Sequence, residues 1–260
     1  MHKFSLGTIT VTVTATQTTS RDVLSILGIP VDRVTMSEAL ARISEFVASG
    51  EPHLIATADA SMIVDANHDP GFGDLLRSAD MVTPDSSGVL WAAKKLGQPL
   101  AEKVSGVDLV DRLCAQSAEK GYRIYFLGAG HGIAELAAEK MRLAHPGCNI
   151  VGARHGFFPA DDDELVAREV AEANPDLLFV AMGIPRQEKF IARTRDIIRA
   201  RVAIGVGGSL DVHSGRTKRA PVVFQRLKIE WLWRLFLNPS KWRKTMKLPK
   251  FMWMVLRSSR

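Results

Sequence analysis

The feature that most constrains the fold is a repeated alternation between short apolar runs of β type and longer segments with helical spacing. The runs predicted as strands lie at residues 53–58, 80–83, 123–127, 177–181 and 202–206. Amphipathic segments with helical spacing follow several of them, for example at residues 107–120 and 133–144. This alternation predicts an α/β fold with a mostly parallel sheet and crossover helices.

Each predicted strand ends at or close to a polar residue or a glycine. These strand-end residues are Thr57, Asp85, Gly128, Gly183 and Gly207. Because the carboxyl ends of parallel strands lie at one edge of a sheet, and open α/β sheets bind ligands there, we expect one shared cleft. Glycine allows the backbone to approach a phosphate, and the first N–H groups of the next helix attract an anion.

The first glycine turn, Leu127-Gly128-Ala129-Gly130-His131-Gly132, follows a predicted strand and opens a predicted helix. It resembles a dinucleotide-binding loop, but its third glycine comes one residue early. The acid that such a loop needs about twenty residues later, to bind a ribose, is missing. The turn predicts phosphate binding of some kind at Gly128 and Gly130, and a purely tight turn is the alternative.

The second turn contains Gly183, Arg186 and Gln187 and also follows a predicted strand. The amide of Gln187 is able to read the edge of a base or a sugar, and Arg186 is suited to a phosphate. The alternative is a helix cap with solvated side chains, and the residue chemistry does not decide between the two.

The third turn contains Gly207, Gly208 and Asp211, which we include among the candidate donor-binding residues. The adjoining segment, residues 215–221, adds positive charges before another predicted helix. A flexible connector with a solvated basic face is the alternative.

Acidic residues in two places invite a catalytic or a metal-binding interpretation. Asp85 stands at a strand end just before a helical run at 89–95. It is either a helix N-cap or a general base that takes a proton from an attacking hydroxyl. The run 161–163 is all aspartate, and we interpret it as solvated acids favoured by a helix N-terminus rather than as a metal site. We expect no metal site elsewhere.

The last 45 residues, 216–260, differ in charge from the rest of the chain. They contain 13 Lys and Arg residues against one acid, whereas residues 1–215 contain 21 basic and 27 acidic residues. Four of the five tryptophans also lie there. Such a composition predicts association with an anionic membrane surface. The alternative is that the tail packs on the body and that its charges are solvated.

The sequence therefore divides into three parts. Residues 1–22 are a Thr-rich leader, either disordered or a short alternating strand, residues 23–215 are the catalytic domain, and residues 216–260 are a basic appendage. No apolar run approaches the 18 residues of a membrane span. The two cysteines, Cys114 and Cys148, lack metal-site spacing and are expected to be buried free thiols in a reducing cytoplasm.

Taken together and in order, these segments resemble the bacterial WecG/TagA/CpsF family of glycosyltransferases. The matching stretches are Leu27–Asp32, Ala79–Asp85, Val104–Leu109, Phe126–Ala129, Met182–Glu188, Gly205–Pro221, Leu227–Leu235 and Asn238–Ser240. The match runs from about residue 26 to residue 250.

The resemblance implies a Rossmann-like fold of the GT-E type with a basic helical C-terminal appendage. It implies a metal-independent, inverting transfer, without a cofactor, from a UDP-sugar to a lipid-pyrophosphate-linked saccharide. In known members the sugar is N-acetylmannosamine. The enzyme is then peripheral on the cytoplasmic face of the plasma membrane, as a monomer or a homo-oligomer. The resemblance also implies that the catalytic residues are Asp85, Thr57, Lys103 and Arg234. Asp85 is then the base, Thr57 lies in the pocket with Gln187, and Arg234 closes over the phosphates.

Three departures from the family pattern fall near the implied donor site. Ser86 follows Asp85 where the family usually has glycine, and Asp59 replaces an asparagine. Lys103 replaces an arginine, so that a point charge stands where the family has a bidentate fork. These departures leave a UDP-hexose such as UDP-glucose, used in exopolysaccharide assembly, as an alternative donor.

Two other classes of function remain as alternatives. An NAD-dependent oxidoreductase is disfavoured by the missing ribose-binding acid and the irregular glycine loop. A non-enzymatic protein that binds membranes or nucleic acid would use the basic, Trp-rich tail. We expect no nucleic-acid partner, because the aromatic residues of the tail are spaced with Leu and Met at helical intervals.

Overall fold

A six-stranded parallel sheet organises the residues that the computed structural model describes, which are 21–218, 224 and 246–258. An antiparallel hairpin of β1 (Val23–Ile26) and β2 (Ile29–Asp32) precedes it. The sheet strands are β3 (His53–Ala58), β4 (Met81–Pro84), β5 (Ile124–Gly128), β6 (Ile150–Arg154), β7 (Leu177–Ala181) and β8 (Val202–Gly205). Their order across the sheet is β4-β3-β8-β7-β5-β6. The predicted α/β, Rossmann-like class is confirmed.

Helices cover both faces of the sheet. They are α1 (Met36–Ser49), α2 (Ala60–His68), α3 (Pro70–Ser78), α4 (Ser87–Lys95), α5 (Gly106–Lys120), α6 (Ile133–Ala144), α7 (Asp163–Glu172), α8 (Arg186–Ile198), α9 (Ser209–His213) and α10 (Lys247–Ser258). The buried side chains of α1, α5, α6 and α9 form one core, and those of α2, α3, α4, α7, α8 and α10 form the other.

Local signals explain where several elements begin and end. Helix α1 starts at a capping box of Thr35 and Glu38: the Glu38 N–H donates to Thr35 Oγ1 at 3.3 Å, and the Thr35 N–H donates to Glu38 Oε2 at 2.7 Å. It ends at Gly50, whose φ of 79° is left-handed. The five predicted strands are all present, with boundaries that differ by at most one residue.

Two β elements escaped the sequence analysis. The hairpin turns at Leu27 and Gly28, which have φ values of 51° and 80°. Positive φ at both positions is the requirement of a type I′ turn, and a non-glycine first residue hides that signal. The edge strand β6 is mostly half-buried and contains Gly152 and Arg154, so its sequence is not a continuous apolar run.

Helix α10, within the predicted appendage, packs on the body. Phe251 and Val255 are fully buried and join the core formed with α2 and α4. Lys247 Nζ lies 2.6 Å from Asp65 Oδ1 on α2. The alternative that the tail packs on the body therefore holds for this segment.

Among the described helices, none is long and apolar enough to cross a bilayer. Arg234 and three of the tail tryptophans, Trp231, Trp233 and Trp242, lie outside the described residues, as does most of the predicted leader.

Candidate active site

The carboxyl ends of the strands form one edge of the sheet, and from β3 to β5 neighbouring strands lead away from it to opposite faces. Strand β3 leads into α2 on one face, whereas β8 leads into α9 on the other. The next pair behaves in the same way, since β7 leads into α8 and β5 leads into α6. Such divergence opens crevices outside the strand ends, where α/β proteins bind ligands. The strand-end residues predicted from the sequence all lie at this edge.

Asp85 follows β4 directly, but it is not the cap of the helix that comes next. Ser86 is the N-cap of α4, and its Oγ accepts a hydrogen bond from the Val89 N–H at 3.3 Å. The Asp85 N–H donates to the Ala58 carbonyl at 2.9 Å, which fixes its backbone against the end of β3. The N-cap alternative for Asp85 is therefore wrong. Asp85 is half-buried at the strand-end edge of the sheet. Its role as a general base stays a prediction.

Asp59 lies beside Asp85, because each follows one member of the Ala58–Pro84 pair of β3 and β4. Asp59 is the N-cap of α2, and its Oδ1 accepts bonds from the Met62 N–H at 2.8 Å and the Ser61 hydroxyl at 2.6 Å. These contacts give Asp59 a structural function, and binding of the donor by this residue stays a prediction.

Lys103 is brought to the same edge by its neighbour in the chain. The Val104 N–H donates to the Pro84 carbonyl at 2.9 Å, so the segment at 103–104 runs beside the end of β4. Helix α5 then begins, with Ser105 as its N-cap. The structure thus places Lys103 and Asp85 on adjoining backbone segments.

Thr57 and Gln187 stabilise the backbone between β3, β7 and β8. Thr57 Oγ1 donates to the Gly205 carbonyl at 2.7 Å. Gln187 Oε1 accepts from the N–H of Gly183 at 3.2 Å and from the N–H of Gly207 at 3.0 Å. Gln187 is only 1% exposed. The amide therefore joins two of the glycine turns, and the interpretation that it reads a base or a sugar edge has no support in these contacts.

Gln187 also explains one of the glycines in the sheet. Its Nε2 donates to Glu188 Oε1 at 2.6 Å, so both ends of the amide have protein partners. A Cβ atom at Gly205 would lie 2.6 Å from that Nε2, closer than real contacts allow. The buried pair of Gln187 and Glu188 therefore fills the space beside the end of β8.

The guanidinium of Arg186 is engaged by a buried carboxylate. Its Nη1 donates to Asp163 Oδ2 at 2.9 Å, its Nη2 donates to Asp163 Oδ1, and Arg193 Nη2 lies 3.3 Å from the same carboxylate. The Arg186 guanidinium also lies over the rings of Phe158 and Phe190. These contacts fasten α8 to α7, and none of them supports the predicted phosphate binding by Arg186.

The same ion pair corrects the interpretation of the acidic run at 161–163. Asp163 is 5% exposed, so the expectation that all three acids are solvated is wrong for this one. Sequence alone hides the pairing, because Arg186 lies 23 residues further on. Among the described side chains, no three His, Cys, Asp or Glu residues are grouped as metal ligands.

The turn after β5 has one glycine that packing requires and one that lies under a cation. A Cβ atom at Gly128 would lie 2.5 Å from the Ala181 carbonyl carbon, so close approach to β7 explains that glycine without a ligand. A Cβ atom at Gly130 would lie 3.2 Å from Arg216 Nη1, which places the Arg216 guanidinium over the turn. Helix α6 begins beyond it at Gly132 with no side-chain cap. Arg216 was counted in the sequence only as one of several charges.

The turn after β8 carries the remaining predicted residues. Gly207 has a left-handed φ of 54°, and the exposed Gly208 is the N-cap of α9. Asp211, in the first turn of α9, holds its Oδ2 3.9 Å from the Cβ position of Gly208. All three residues are at the sheet edge beside Gln187, and whether they contact a donor stays a prediction.

An aromatic cluster beside the β5 turn was missed. The rings of His131 and His155 have centroids 3.9 Å apart, and the ring of Phe157 lies 5.8 Å from that of His131. Burial, followed by the charges of His131 and Arg154, lowers the pKa of His155. His155 and Phe157 follow β6, the strand that sequence reasoning did not assign, so no strand-end argument was available for them.

Comparison with known proteins identifies one family over nearly the whole chain. The model of the glycosyl transferase WecG/TagA/CpsF family matches residues 24–260. Three similar proteins are each named N-acetylglucosaminyldiphosphoundecaprenol N-acetyl-beta-D-mannosaminyltransferase. The Bacillus spizizenii protein is 37% identical over 206 residues, 79% of both chains. The Bacillus subtilis (strain 168) protein is 35% identical over 80% of both chains. The Staphylococcus aureus (strain MRSA252) protein is 30% identical over 91% of this chain and 93% of its own.

Proposed function

Because the chain belongs to the WecG/TagA/CpsF family of glycosyltransferases, we propose that it moves a sugar from a UDP-sugar to a saccharide carried on a lipid diphosphate. The names of the relatives supply the first candidates, N-acetylmannosamine as the sugar and N-acetylglucosaminyl-diphosphoundecaprenol as the acceptor. A UDP-hexose such as UDP-glucose is the second candidate donor, because Asp59 and Lys103 depart from the family pattern near the donor site.

Asp85 is the group that activates the acceptor, and its position carries the proposal. It stands at the carboxyl end of β4, beside the segment of Lys103, while Ser86 is the N-cap of α4. A carboxylate at the mouth of such a cleft is suited to take the proton of an acceptor hydroxyl as that oxygen attacks the anomeric carbon.

The reaction inverts the anomeric configuration. The products of the relatives are β-mannosaminides by name, whereas UDP-sugars of this class carry an α-linked diphosphate. A single in-line displacement gives that change, and it needs one base and no protein nucleophile. Asp85 alone is sufficient for this chemistry.

The departing UDP must be stabilised as negative charge develops on its diphosphate. Arg216 lies over the Gly130 turn, and α6 and α8 both begin without a side-chain cap. These groups offer a guanidinium and the N-terminal ends of two helices, which are of the kind that bind phosphates. Arg234 of the tail is a further cation for the same purpose. We propose that these groups make the transfer independent of a metal ion.

The enzyme works at the cytoplasmic surface of the plasma membrane. Helix α10 buries Phe251 and Val255 against the body and presents Met252, Trp253 and Leu256 outward, at 37%, 59% and 41% exposure. The Arg257 guanidinium lies 5.4 Å from the Trp253 ring centre. An aromatic residue next to a cation is favourable at a lipid–water interface. The outward face of α10 is therefore a membrane contact beside the lipid-linked acceptor.

A donor panel tests the function directly. UDP-N-acetylmannosamine, UDP-glucose and UDP-N-acetylglucosamine are each offered with N-acetylglucosaminyl-diphosphoundecaprenol, and the products are identified by mass spectrometry. We expect transfer of one sugar residue, unchanged by a chelator. Transfer that stops on chelation and returns with manganese would contradict metal independence, and no transfer from any UDP-sugar would contradict the proposal itself.

A further inference from the structure

A turn at residues 145–149 connects α6 to β6 and lies along helix α5. At one end of the turn, His145 Nε2 is 2.9 Å from Asp111 Oδ1. At the other end, the Asn149 N–H donates to Ser117 Oγ at 3.0 Å. Because Asp111 and Ser117 are nearly two turns apart on α5, the two contacts fix the register of the turn against the helix.

This register brings together the only two cysteines of the chain. Cys114 lies on α5 between the two contact points, and Cys148 immediately precedes Asn149 in the turn. Both cysteines belong to one buried cluster. The Cβ position of Gly147, next to Cys148, lies 3.6 Å from the Cβ of Ala118, one helical turn beyond Cys114. Cys114 is fully buried, whereas Cys148 is 7% exposed, so Cys148 is the sulfur nearer to solvent.

The surroundings of Cys148 favour its thiolate. The neighbouring Cys114 thiol is the largest effect that lowers the pKa of Cys148, to about 7, and Ser117, His145 and Arg142 lower it further against the effect of burial. The pKa of Cys114 is raised, first by its interaction with Cys148 and then by burial. A thiolate beside a protonated thiol is the arrangement that dithiol oxidation uses, because the thiolate is the nucleophile.

We propose that Cys114 and Cys148 form a reversible redox site that closes to a disulfide on reaction with a peroxide. The Cys148 sulfur attacks one oxygen of hydrogen peroxide, the O–O bond breaks, hydroxide leaves, and Cys148 becomes a sulfenic acid. The Cys114 thiol then attacks the Cys148 sulfur, and its proton leaves with the sulfenic hydroxyl as water. The two thiols lose two electrons to the peroxide, and an external thiol reductant reverses the bond.

The bond would join α5 to the chain that leads into the edge strand β6. Helix α5 begins at Gly106, whose Cβ position lies 3.2 Å from Ser209 Oγ and 3.3 Å from the Val206 Cα at the β8 turn. The cross-link therefore restrains a helix whose first turn reaches the strand-end edge. It also lowers the conformational entropy of the unfolded state, which raises the melting temperature of the oxidised protein.

Peptide mapping of the full-length, folded protein tests the site. The reduced protein is treated with hydrogen peroxide, alkylated, and digested with trypsin without reductant. Cleavage after Arg112, Lys120, Arg142 and Arg154 leaves each cysteine in its own peptide. We expect the peptides 113–120 and 143–154 to appear joined, two hydrogen masses below their sum, and to separate after reduction.

Met246 calibrates the oxidation, since its side chain is 58% exposed. The proposal would be overturned if the two cysteine peptides were recovered separately, each with its cysteine alkylated, at a peroxide dose that already oxidises Met246. A disulfide that forms only after denaturation in urea would also overturn it, because the geometry belongs to the folded chain.

Single variants test which sulfur attacks first. In Cys114→Ser, dimedone should trap a sulfenic acid at Cys148, whereas in Cys148→Ser the labelling of Cys114 should be at least tenfold lower. Cys114→Ala and Cys148→Ala repeat the comparison, with circular dichroism to establish folding. Equal labelling of the two cysteines would overturn their assigned order.

Discussion

At the residue scale, the role of an aspartate at a strand end depends on whether that aspartate or its neighbour is the N-cap of the next helix. Asp59 and Asp85 follow paired residues at the ends of β3 and β4. Asp59 caps α2, whereas Ser86 caps α4 in place of Asp85. The serine that departs from the family's usual glycine thus has a structural function, because it supplies the cap of α4 and the preceding aspartate does not.

Replacing Asp85 by asparagine should reduce turnover by at least about a hundredfold, because general-base catalysis is lost. The melting temperature should change little, since the cap of α4 is provided by Ser86. The turnover is measured with the donor and acceptor identified in the panel, and the fold by thermal denaturation.

Asp59→Asn is the matched control, because asparagine is as good an N-cap as aspartate. A moderate change in turnover is expected for this variant. Near-normal turnover in Asp85→Asn would remove Asp85 from the role of base, whatever the control shows.

Gln187 is expected to act by positioning the backbone rather than by touching a substrate. Gln187→Met removes the oxygen that accepts from Gly183 and Gly207, so both amides should exchange their protons faster in the protein without nucleotide. The affinity for UDP should fall as a consequence. Hydrogen exchange followed by NMR, together with calorimetric titration of UDP, measures the two effects.

Exchange in the middle of β7, at residues 178–180, provides the internal control for this variant. If those amides are unchanged, the loosening is local to the two turns. Unchanged exchange at Gly183 and Gly207 together with weaker UDP binding would mean that Gln187 contacts the nucleotide directly.

At the scale of elements, helix α10 has two faces with different tasks. Its inner face completes the core over α2 and α4, and Leu248 lies 3.1 Å from the Cβ position of Gly88 in the first turn of α4. Its outer face carries the exposed Met252, Trp253 and Leu256. The helix is therefore part of the catalytic body even though its composition belongs to the basic tail.

Phe251→Ala should lower the free energy of unfolding by ~3–5 kcal/mol, because it empties a fully buried aromatic site. Trp253→Ala on the same helix should change it by only about 0.5 kcal/mol, since this ring is mostly exposed. Urea denaturation measures both. Equal losses would show that α10 is not packed on the body as described.

At the scale of the whole molecule, charge is segregated along the chain. Residues 1–215 carry a formal charge of −6, and residues 216–260 carry +12. Each basic residue near an anionic leaflet contributes ~1 kcal/mol to binding, and salt weakens this attraction. For the proposed membrane contact, this distribution of charge favours attraction through residues 216–260 and repulsion of residues 1–215 from an anionic surface.

The protein should therefore sediment with vesicles that contain anionic lipid and be released by high salt. Trp253→Ala should weaken this binding severalfold without unfolding the protein, whereas deletion of residues 216–260 would also uncover the core beneath α10. Binding that is unaffected by salt and by the lipid charge would contradict the proposed contact.

The sequence by itself determined the α/β class, the parallel sheet and five of its six strands, because buried strands and amphipathic helices leave local periodic patterns. It also located Thr57, Asp85 and the glycine turns at strand ends, since a strand that stops at glycine or a polar residue is visible without coordinates. The cap of α1 at Thr35 was equally local.

Only the tertiary structure decided which of these side chains face a ligand edge and which hold the protein together. Arg186 meets Asp163, Gln187 joins two turns, and the turn with Cys148 lies along the helix with Cys114, all through contacts between residues distant in the sequence. Chain topology determines which residues become partners. A buried polar side chain takes the position that gives it a hydrogen-bonding partner, because burial without one raises the free energy of the folded state. Residue type and position in the sequence therefore indicated the candidate site residues, and tertiary packing determined the role of each.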